Sequence, residues 1–318
     1  MRISVLALDD TFDTGLSIIL DTFSFANVLG KSMGKNAPRF DVRLVGMRRR
    51  IKTHCGFRID VEPLDGPQRP NYVVVPALFA ASPAELIGML ERRDIKDAGQ
   101  ALPVHGRITL AAACTSTFVL AEAGLLDQQR ATTTWWLAPA FRVRFPAVEL
   151  DESRMVIDAP GRVTAGAAMA HVDLALWIVR QASPALASMV ARYLVVEARP
   201  SQAPFIIPDH LAHADEVVER FERWVREHLD RPFSLEDAAR AVKVSPRSLE
   251  RRVRTVMGKP PVAFVQDIRV EVATHLLRST GADVEAVAAK VGYRDGTTLR
   301  TLLRKKLGRG IKELRRAL

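Results

Sequence analysis

At 318 residues the chain exceeds one ordinary domain, and a hydrophobic fraction of 48% supplies material for two cores. Met1 to Leu8 is too brief to be a signal peptide, no apolar stretch approaches the roughly 18 residues of a membrane span, and Cys55 and Cys114 alone do not make a disulfide framework, so a cytosolic protein free of the membrane is expected. The net charge of +10 is uneven: residues 211–318 carry 23 Lys and Arg against 15 Asp and Glu, whereas residues 1–210 carry 23 against 21. A basic last third points to nucleic acid once its cations sit on an element that enters a groove.

Strand-like and helical segments alternate through the first part. RISVLAL from Arg2 precedes a helix around Leu16 to Leu29, and FDVRLVGM and YVVVPAL follow. A helix from Pro83 to Arg92 then leads to RITLAAA and STFVLAEAGLL, and RVTAGAA leads to HVDLALWIVRQA. Short apolar strands each followed by an amphipathic helix predict a parallel sheet covered on both faces, with ligands beyond the carboxyl ends of the strands. The cluster Arg48, Arg49, Arg50 and Lys52 after the second strand reads as a solvated loop that could meet an anionic effector or a DNA backbone.

Cys114 stands at such a strand end, with small residues, Ala112 and Ser116, two positions to either side. A tight strand-to-helix turn with small flanks is the logic of a nucleophile elbow, and a helix N-terminus there is expected to lower the thiol pKa. A Cys in an Ala-rich run is otherwise a buried small hydrophobe. AAACTSTFVLAEAGLLDQQRATTTWW resembles the central segment of the DJ-1/PfpI group of class I glutamine amidotransferase-like proteins, over roughly residues 2 to 185. That resemblance implies a flavodoxin-like doubly wound parallel sheet. Where the group's enzymes carry His after the ATT run, this chain has Thr134 and then Trp135; His54, His105 and His171 lie elsewhere. A thiol without a base in reach is a poor catalyst, so Cys114 is read as a vestigial elbow with no catalytic residue. The expected ligand pocket comprises Asp13, Pro76, Ala77, Cys114, Thr115, Thr134, Trp135 and His171, within the loops Asp9 to Asp13 and Pro76 to Leu78 and around the elbow. No metal or cofactor is expected.

EARPSQAPFIIPDH, with Pro200, Pro204 and Pro208, reads as a semi-rigid linker. The expected division is a sensing and dimerisation domain over 1–190, a linker over 191–213, and a DNA-binding domain over 214–318 whose first helix runs from Ala214 to His228.

The last hundred residues hold one helix-turn-helix pattern twice. Leu235, Ala239, Val242, Leu249, Val253 and Gly258 correspond to Val284, Ala288, Val291, Leu299, Leu303 and Gly308. Ser234 with Asp237 resembles a capping box, and Ser245-Pro246 starts the second helix of the first unit. Asp283 caps the second copy, Gly292 ends its first helix, and the next begins around Asp295 to Thr297. A third helix, Val262 to Arg278, bridges the units. Two such units on one rigid linker would address major-groove faces about 34 Å apart. SPRSLERRVR, DIRVEVATHLLRST, VAAKVGY and GRGIKELR resemble, in register, the DNA-binding domain of AraC/XylS-family regulators across residues 214–318. The family usually has Phe, Phe and Pro where this chain has Leu299, Leu303 and Ile311, which keeps the core apolar but leaves the last helix start less defined.

Expected DNA-contacting residues are Ser245, Arg247, Ser248, Glu250, Arg251 and Arg254 in the first unit, and Thr297, Thr298, Arg300, Thr301, Arg304 and Lys305 in the second. Arg pairs with guanine and Glu accepts from cytosine, so the first unit is expected to read sequence more strictly; Lys305 and Lys306 are expected to serve phosphates. An AraC-type domain joined to a DJ-1-like one resembles the GlxA-like regulators. The resemblance implies a promoter-binding activator of amino-acid or amine responsiveness, with a small-molecule effector, RNA polymerase and a second copy of the chain as partners. The rival is a DJ-1-type thiol enzyme tethered to DNA.

Overall fold

The first strand is apolar along most of its length, and such a strand can only be satisfied between two others with both faces covered. In the computed structural model, which describes residues 1–34, 36–64, 69–103, 108–197, 199–206, 215–280, 282–307 and 310–316, it sits inside a seven-stranded sheet. The chain divides into two compact units, Met1–Ala203 and Pro204–Leu318.

The first unit runs β1 (Arg2–Leu6), α1 (Asp13–Ser32), β2 (Asp41–Gly46), β3 (Arg50–Lys52), β4 (Arg58–Asp60), β5 (Glu62–Pro63), β6 (Tyr72–Val75), α2 (Pro83–Leu90) and α3 (Arg93–Ala101). It continues through β7 (Thr109–Ala113), α4 (Thr117–Glu122), β8 (Arg130–Ala131), α5 (Ala138–Arg144), β9 (Glu149–Leu150), β10 (Val156–Ala159), β11 (Arg162–Ala165), α6 (Ala170–Ala182) and α7 (Pro184–Tyr193). The sheet order is β10-β11-β7-β6-β1-β2-β5. All its pairs are parallel except β10 with β11. The expected doubly wound α/β sheet is present, with one antiparallel edge strand that its short, half-exposed sequence did not announce.

Period-2 alternation divides the core. Leu6, Val73, Val75, Leu110 and Ala112 join one cluster with Phe118 and Phe141, whereas Val5, Val74, Ala111 and Ala113 join another with Ile19, Phe23, Ala175 and Ile178. The arginine run is not a free loop. Arg50 and Lys52 lie on β3, which pairs with β4; Arg50 bonds Asp60 at 2.7 Å, and Arg48 meets Asp9 at 3.2 Å. Arg92 adds bonds to Asp10 and Asp94.

The second unit runs α8 (Glu216–Glu227), α9 (Leu235–Ala241), α10 (Pro246–Met257), α11 (Pro261–Ser279), α12 (Val284–Lys290), α13 (Gly296–Leu307) and α14 (Ile311–Arg316). Its caps follow local chemistry. Asp215, Ser234, Ser245 and Asp283 each accept backbone N–H bonds from the first turn that follows, and Asp295 accepts from Thr298. Gly258 and Gly292 adopt left-handed φ of 66° and 74°. Leu299 and Leu303 are fully buried beside Val284, Val287, Ala288, Val291 and Leu314. The start of α14 is well defined without proline, because Glu313 accepts the Gly310 N–H at 2.8 Å, the N3-to-cap half of a capping box. His105, Pro208, Ala214 and Gly308 lie outside the described residues.

Candidate functional site

Cys114 is the residue on which the first unit turns. Its φ of 56° is left-handed, a conformation uncommon outside glycine, and it opens a 3₁₀ turn, Cys114–Ser116, between β7 and α4. Every neighbour then fixes it in place. The Thr115 hydroxyl donates to the Leu78 carbonyl at 2.6 Å and the Ser116 hydroxyl to the Pro76 carbonyl at 2.5 Å, tying the elbow to the loop after β6. From the other side, the Thr133 hydroxyl donates to the Cys114 carbonyl at 2.8 Å and the Thr117 hydroxyl to the Thr132 carbonyl at 3.1 Å.

Cys114 as a whole residue is only 6% exposed. Burial pushes its thiol pKa up to about 11, against the opposite pull of the Thr115 backbone N–H and the Thr134 hydroxyl. The expected lowering by a helix N-terminus is therefore overturned: desolvation of the thiolate outweighs a short turn of backbone dipoles. The side chain that bonds the thiol is the Thr134 hydroxyl, which is not a base matched to a thiol.

His171 faces inward at the start of α6, as expected, but both ring nitrogens are engaged. Nε2 accepts the Ala77 N–H at 3.0 Å and Nδ1 bonds the Ala168 carbonyl. Burial drives its pKa down to about 4, so the ring is neutral, with its proton on Nδ1. It pins the β6 loop to α6. Gly15 makes room for it, since a Cβ there would lie 2.6 Å from Nε2.

Asp13 sits one residue past Phe12, whose N–H donates to the Ala77 carbonyl at 2.7 Å. Partial burial raises its pKa, but hydrogen bonds from Thr53 and Cys55 outweigh that and hold the carboxyl below its usual range. Trp135 is half-buried at the start of the turn after Thr134. Of the eight expected pocket residues, Cys114, Thr115, Thr134, Pro76, Ala77 and His171 are thus joined through one set of contacts, while Asp13 and Trp135 are the more accessible members.

In the second unit, α10 and α13 bury Leu249, Val253, Leu299 and Leu303 and turn their cations outward. Arg247 and Arg251 are exposed, and no ion pair is recorded for either among the described residues. Glu250 pairs instead with Arg254 at 3.0 Å. Ser245 and Ser248 form the helix cap. On α13, Thr297, Thr298, Arg300, Thr301, Arg304 and Lys305 are all exposed, with Thr298 bonded to Asp295 and Thr301 to the Thr297 carbonyl. Lys306 departs from expectation. It bonds Asp267 at 2.7 Å, beside Lys259 at 2.9 Å, and so ties α11 to α13 and to the turn that follows α10.

Sequence reasoning missed Arg269. This buried residue of α11 donates to the Leu229 and Arg231 carbonyls, between α8 and α9, and lies over the Tyr293 ring just after α12. It also walls a cleft of about 260 Å³ with Trp224, His228, Phe233, Asp237 and Arg240. Gly292 completes the junction, since a Cβ there would lie 2.2 Å from the Leu229 carbonyl.

Residues 238–317 match the family described as a helix-turn-helix domain. The second unit is an AraC-type helix-turn-helix domain. Among curated proteins, the chain is 30% identical over 58% of its length to the HTH-type transcriptional regulator CdhR of Pseudomonas aeruginosa, covering 56% of that protein. It is also 30% identical, over 56% of its length, to the HTH-type transcriptional regulator GlxA of Rhizobium meliloti, again covering 56%. The chain therefore spans about half the length of the curated relatives it matches. Solved structures similar to it include Drosophila melanogaster DJ-1beta, with 17% identity, 62% of this chain, 98% of the other and a TM-score of 0.49. An AraC family transcriptional regulator from Pseudomonas putida matches with 18% identity, 61% of this chain, 98% of the other and a TM-score of 0.47. Among the described residues no helix is long and apolar enough to cross a membrane.

Proposed function

We propose that the chain is a transcription regulator whose helix-turn-helix domain binds promoter DNA and whose first unit senses a small molecule at the Cys114 elbow without catalysing a reaction. The observation that carries it is the duplicated unit with Arg247 and Arg251 exposed on α10 and, among the described residues, outside any ion pair. An unpaired guanidinium on a helix that enters the major groove is free to take guanine O6 and N7. In this reading α10 reads sequence, and α13, with Thr297, Thr301 and the cations Arg300, Arg304 and Lys305, adds methyl and phosphate contacts. The effector lies over Cys114 against Thr134 and Trp135, with Asp13 placed to accept from an amine or amino-acid ammonium group. RNA polymerase and a second copy of the chain complete the proposed assembly in the cytoplasm, with activation as the expected outcome.

Footprinting on the promoter upstream of the chain's own gene tests the DNA half: Arg251→Ala loses protection and discrimination at one or two base pairs, and an unchanged footprint overturns the assignment of α10. Thermal-shift screening with amino acids and amines tests the sensor half, since a tight ligand raises the midpoint by mass action.

The left-handed backbone at Cys114 is elbow geometry and favours a second reading, a thiol enzyme. The raised thiol pKa and Thr134 beside it argue against that reading. Cys114→Ser separates the two: an enzyme loses turnover, while a sensor keeps effector-dependent DNA binding.

A further inference from the structure

The segment expected to be a semi-rigid linker begins as part of the first unit. Ser201 pairs with Arg154 as an isolated β-bridge, the Met155 N–H donates to the Pro200 carbonyl at 3.3 Å and the Gln202 N–H to the Ser153 carbonyl at 2.8 Å. Arg199 reaches Asp173 on α6 and donates to the Met169 carbonyl. Gln202 is fully buried, although glutamine is among the residues that rarely are.

Its side chain is held where it reports on the elbow. Gln202 Nε2 donates to the Thr133 carbonyl at 2.9 Å, and to Thr132 Oγ1 and the Arg154 carbonyl at 3.2 Å each, while Oε1 has no partner among the described residues. Gly166, directly after β11, leaves it space: a Cβ there would lie 2.2 Å from Nε2. Two hydrogen bonds therefore connect the strap to the turn. Gln202 holds the Thr133 carbonyl, and the Thr133 hydroxyl holds the Cys114 carbonyl.

We propose that Gln202 is a positioning residue that couples the Cys114 elbow to the strap Arg199–Gln202, so that a molecule displacing Thr133 or Thr134 from the elbow weakens the docking of the segment leading to the DNA-binding domain. A buried amide whose NH2 group is shared among three acceptors while its oxygen lacks a partner among the described residues has little to gain from any displacement of those acceptors. Shifting Thr133 by the width of a ligand atom breaks the shortest of the three Nε2 bonds and weakens the strap's buried anchor. Such coupling is reciprocal: whatever frees the strap must also loosen the elbow. This inference rests on the sensor reading for its biological use, but its test needs neither DNA nor effector and so fails separately from that reading.

The experiment uses the full chain in a Cys55→Ser background, leaving Cys114 as the only thiol. Methyl methanethiosulfonate labelling reports the elbow, and amide hydrogen exchange over residues 199–203 reports the strap, with β1 and α1 as internal reference. Thr133→Val, which removes the hydroxyl and keeps the carbonyl, is expected to speed strap exchange by about tenfold or more while the reference stays unchanged. Gln202→Met is expected to speed Cys114 labelling by about tenfold or more; Arg199→Ala, which opens the strap from its exposed end, is expected to do so in the same direction and covers the case in which Gln202→Met does not fold. Strap exchange within about twofold of wild type in Thr133→Val, or labelling within about twofold in a variant whose strap exchanges freely, overturns the coupling.

Discussion

The Arg269 guanidinium carbon lies 5.3 Å from the centre of the Tyr293 ring, which makes one side chain of α11 common to both helix-turn-helix units. The same guanidinium donates to the Leu229 and Arg231 carbonyls, so its removal leaves two acceptors bare as well as the ring uncovered. Arg269→Met keeps the aliphatic stem and loses the charge. Hydrogen bonds to charged groups contribute about 1.5–3 kcal/mol each way of counting, so a loss of about 2–3 kcal/mol is expected for the DNA-binding domain. Hydrogen exchange over α8 to α13 measures it; protection unchanged from wild type removes the residue from this role.

Gly292 meets the same junction from the backbone side. Its φ of 74° disfavours any side chain, and a Cβ would strike the Leu229 carbonyl. Gly292→Ala combines left-handed strain with overpacking, each on the order of 1–3 kcal/mol. Reduced promoter affinity together with faster exchange at Leu229 to Phe233 is expected. Full affinity with native exchange shows that the two helix-turn-helix motifs do not depend on this contact.

Lys305 and Lys306 are adjacent in sequence and differ in use. Lys305 is exposed, whereas Lys306 is bonded to Asp267. Lys305→Ala should weaken all DNA sequences alike and reduce the slope of log affinity against log salt by about one. Lys306→Ala should leave that slope nearly unchanged and lower stability, because it frees half of the Asp267 bridge. Equal salt slopes for the two variants contradict the distinction.

Much of this architecture is legible in the residues because its causes are local. Ser234, Ser245-Pro246 and Asp283 cap helices within one turn of themselves, and the alternation of Val73, Val74 and Val75 needs only the pleat to place them on opposite faces. The elbow is visible through its small flanks. What escapes reading is set by partners far along the chain. β10 pairs antiparallel to β11 through a tight turn at Gly161, and Arg50 becomes a strand residue because Asp60 stands opposite. Gln202 looks like linker in a proline-rich stretch; only the space above Gly166 and the carbonyl of Thr133, 69 positions away, make it core. Arg269 likewise sits in a helix whose apolar spacing explains everything except that residue.

His171 gives the first unit a defined response to acid. Its folded pKa of about 4 lies below the ordinary value of 6.5, so the folded state binds the proton less readily than the unfolded chain. The stability that the neutral ring supplies is present in full above pH 6.5 and is lost as pH falls from there toward 4. The slope contributed by one such group approaches about 1.4 kcal/mol per pH unit within that window. His171→Gln removes the titration while keeping a side chain able to accept the Ala77 N–H. Urea unfolding of the two proteins at several pH values should show a lower midpoint for the variant at neutral pH and a flatter decline below it. Parallel declines would place the acid sensitivity elsewhere.

The two cysteines should separate cleanly by reagent and pH. Cys55 is exposed, although hydrogen bonding to Asp13 raises its thiol pKa, while burial holds Cys114 at about 11. At pH 8 the Cys114 thiolate fraction is on the order of one part in a thousand, and the sulfur is sealed as well, so alkylation should be confined to Cys55. Iodoacetamide at that pH is expected to label one site rapidly in the wild type and in Cys114→Ser, and none rapidly in Cys55→Ser. The residual labelling of Cys114 should climb about tenfold per pH unit toward its pKa, because each unit multiplies the thiolate by ten. Fast labelling of Cys114 at neutral pH would mean an activated thiol and would return the elbow to the class of working nucleophiles.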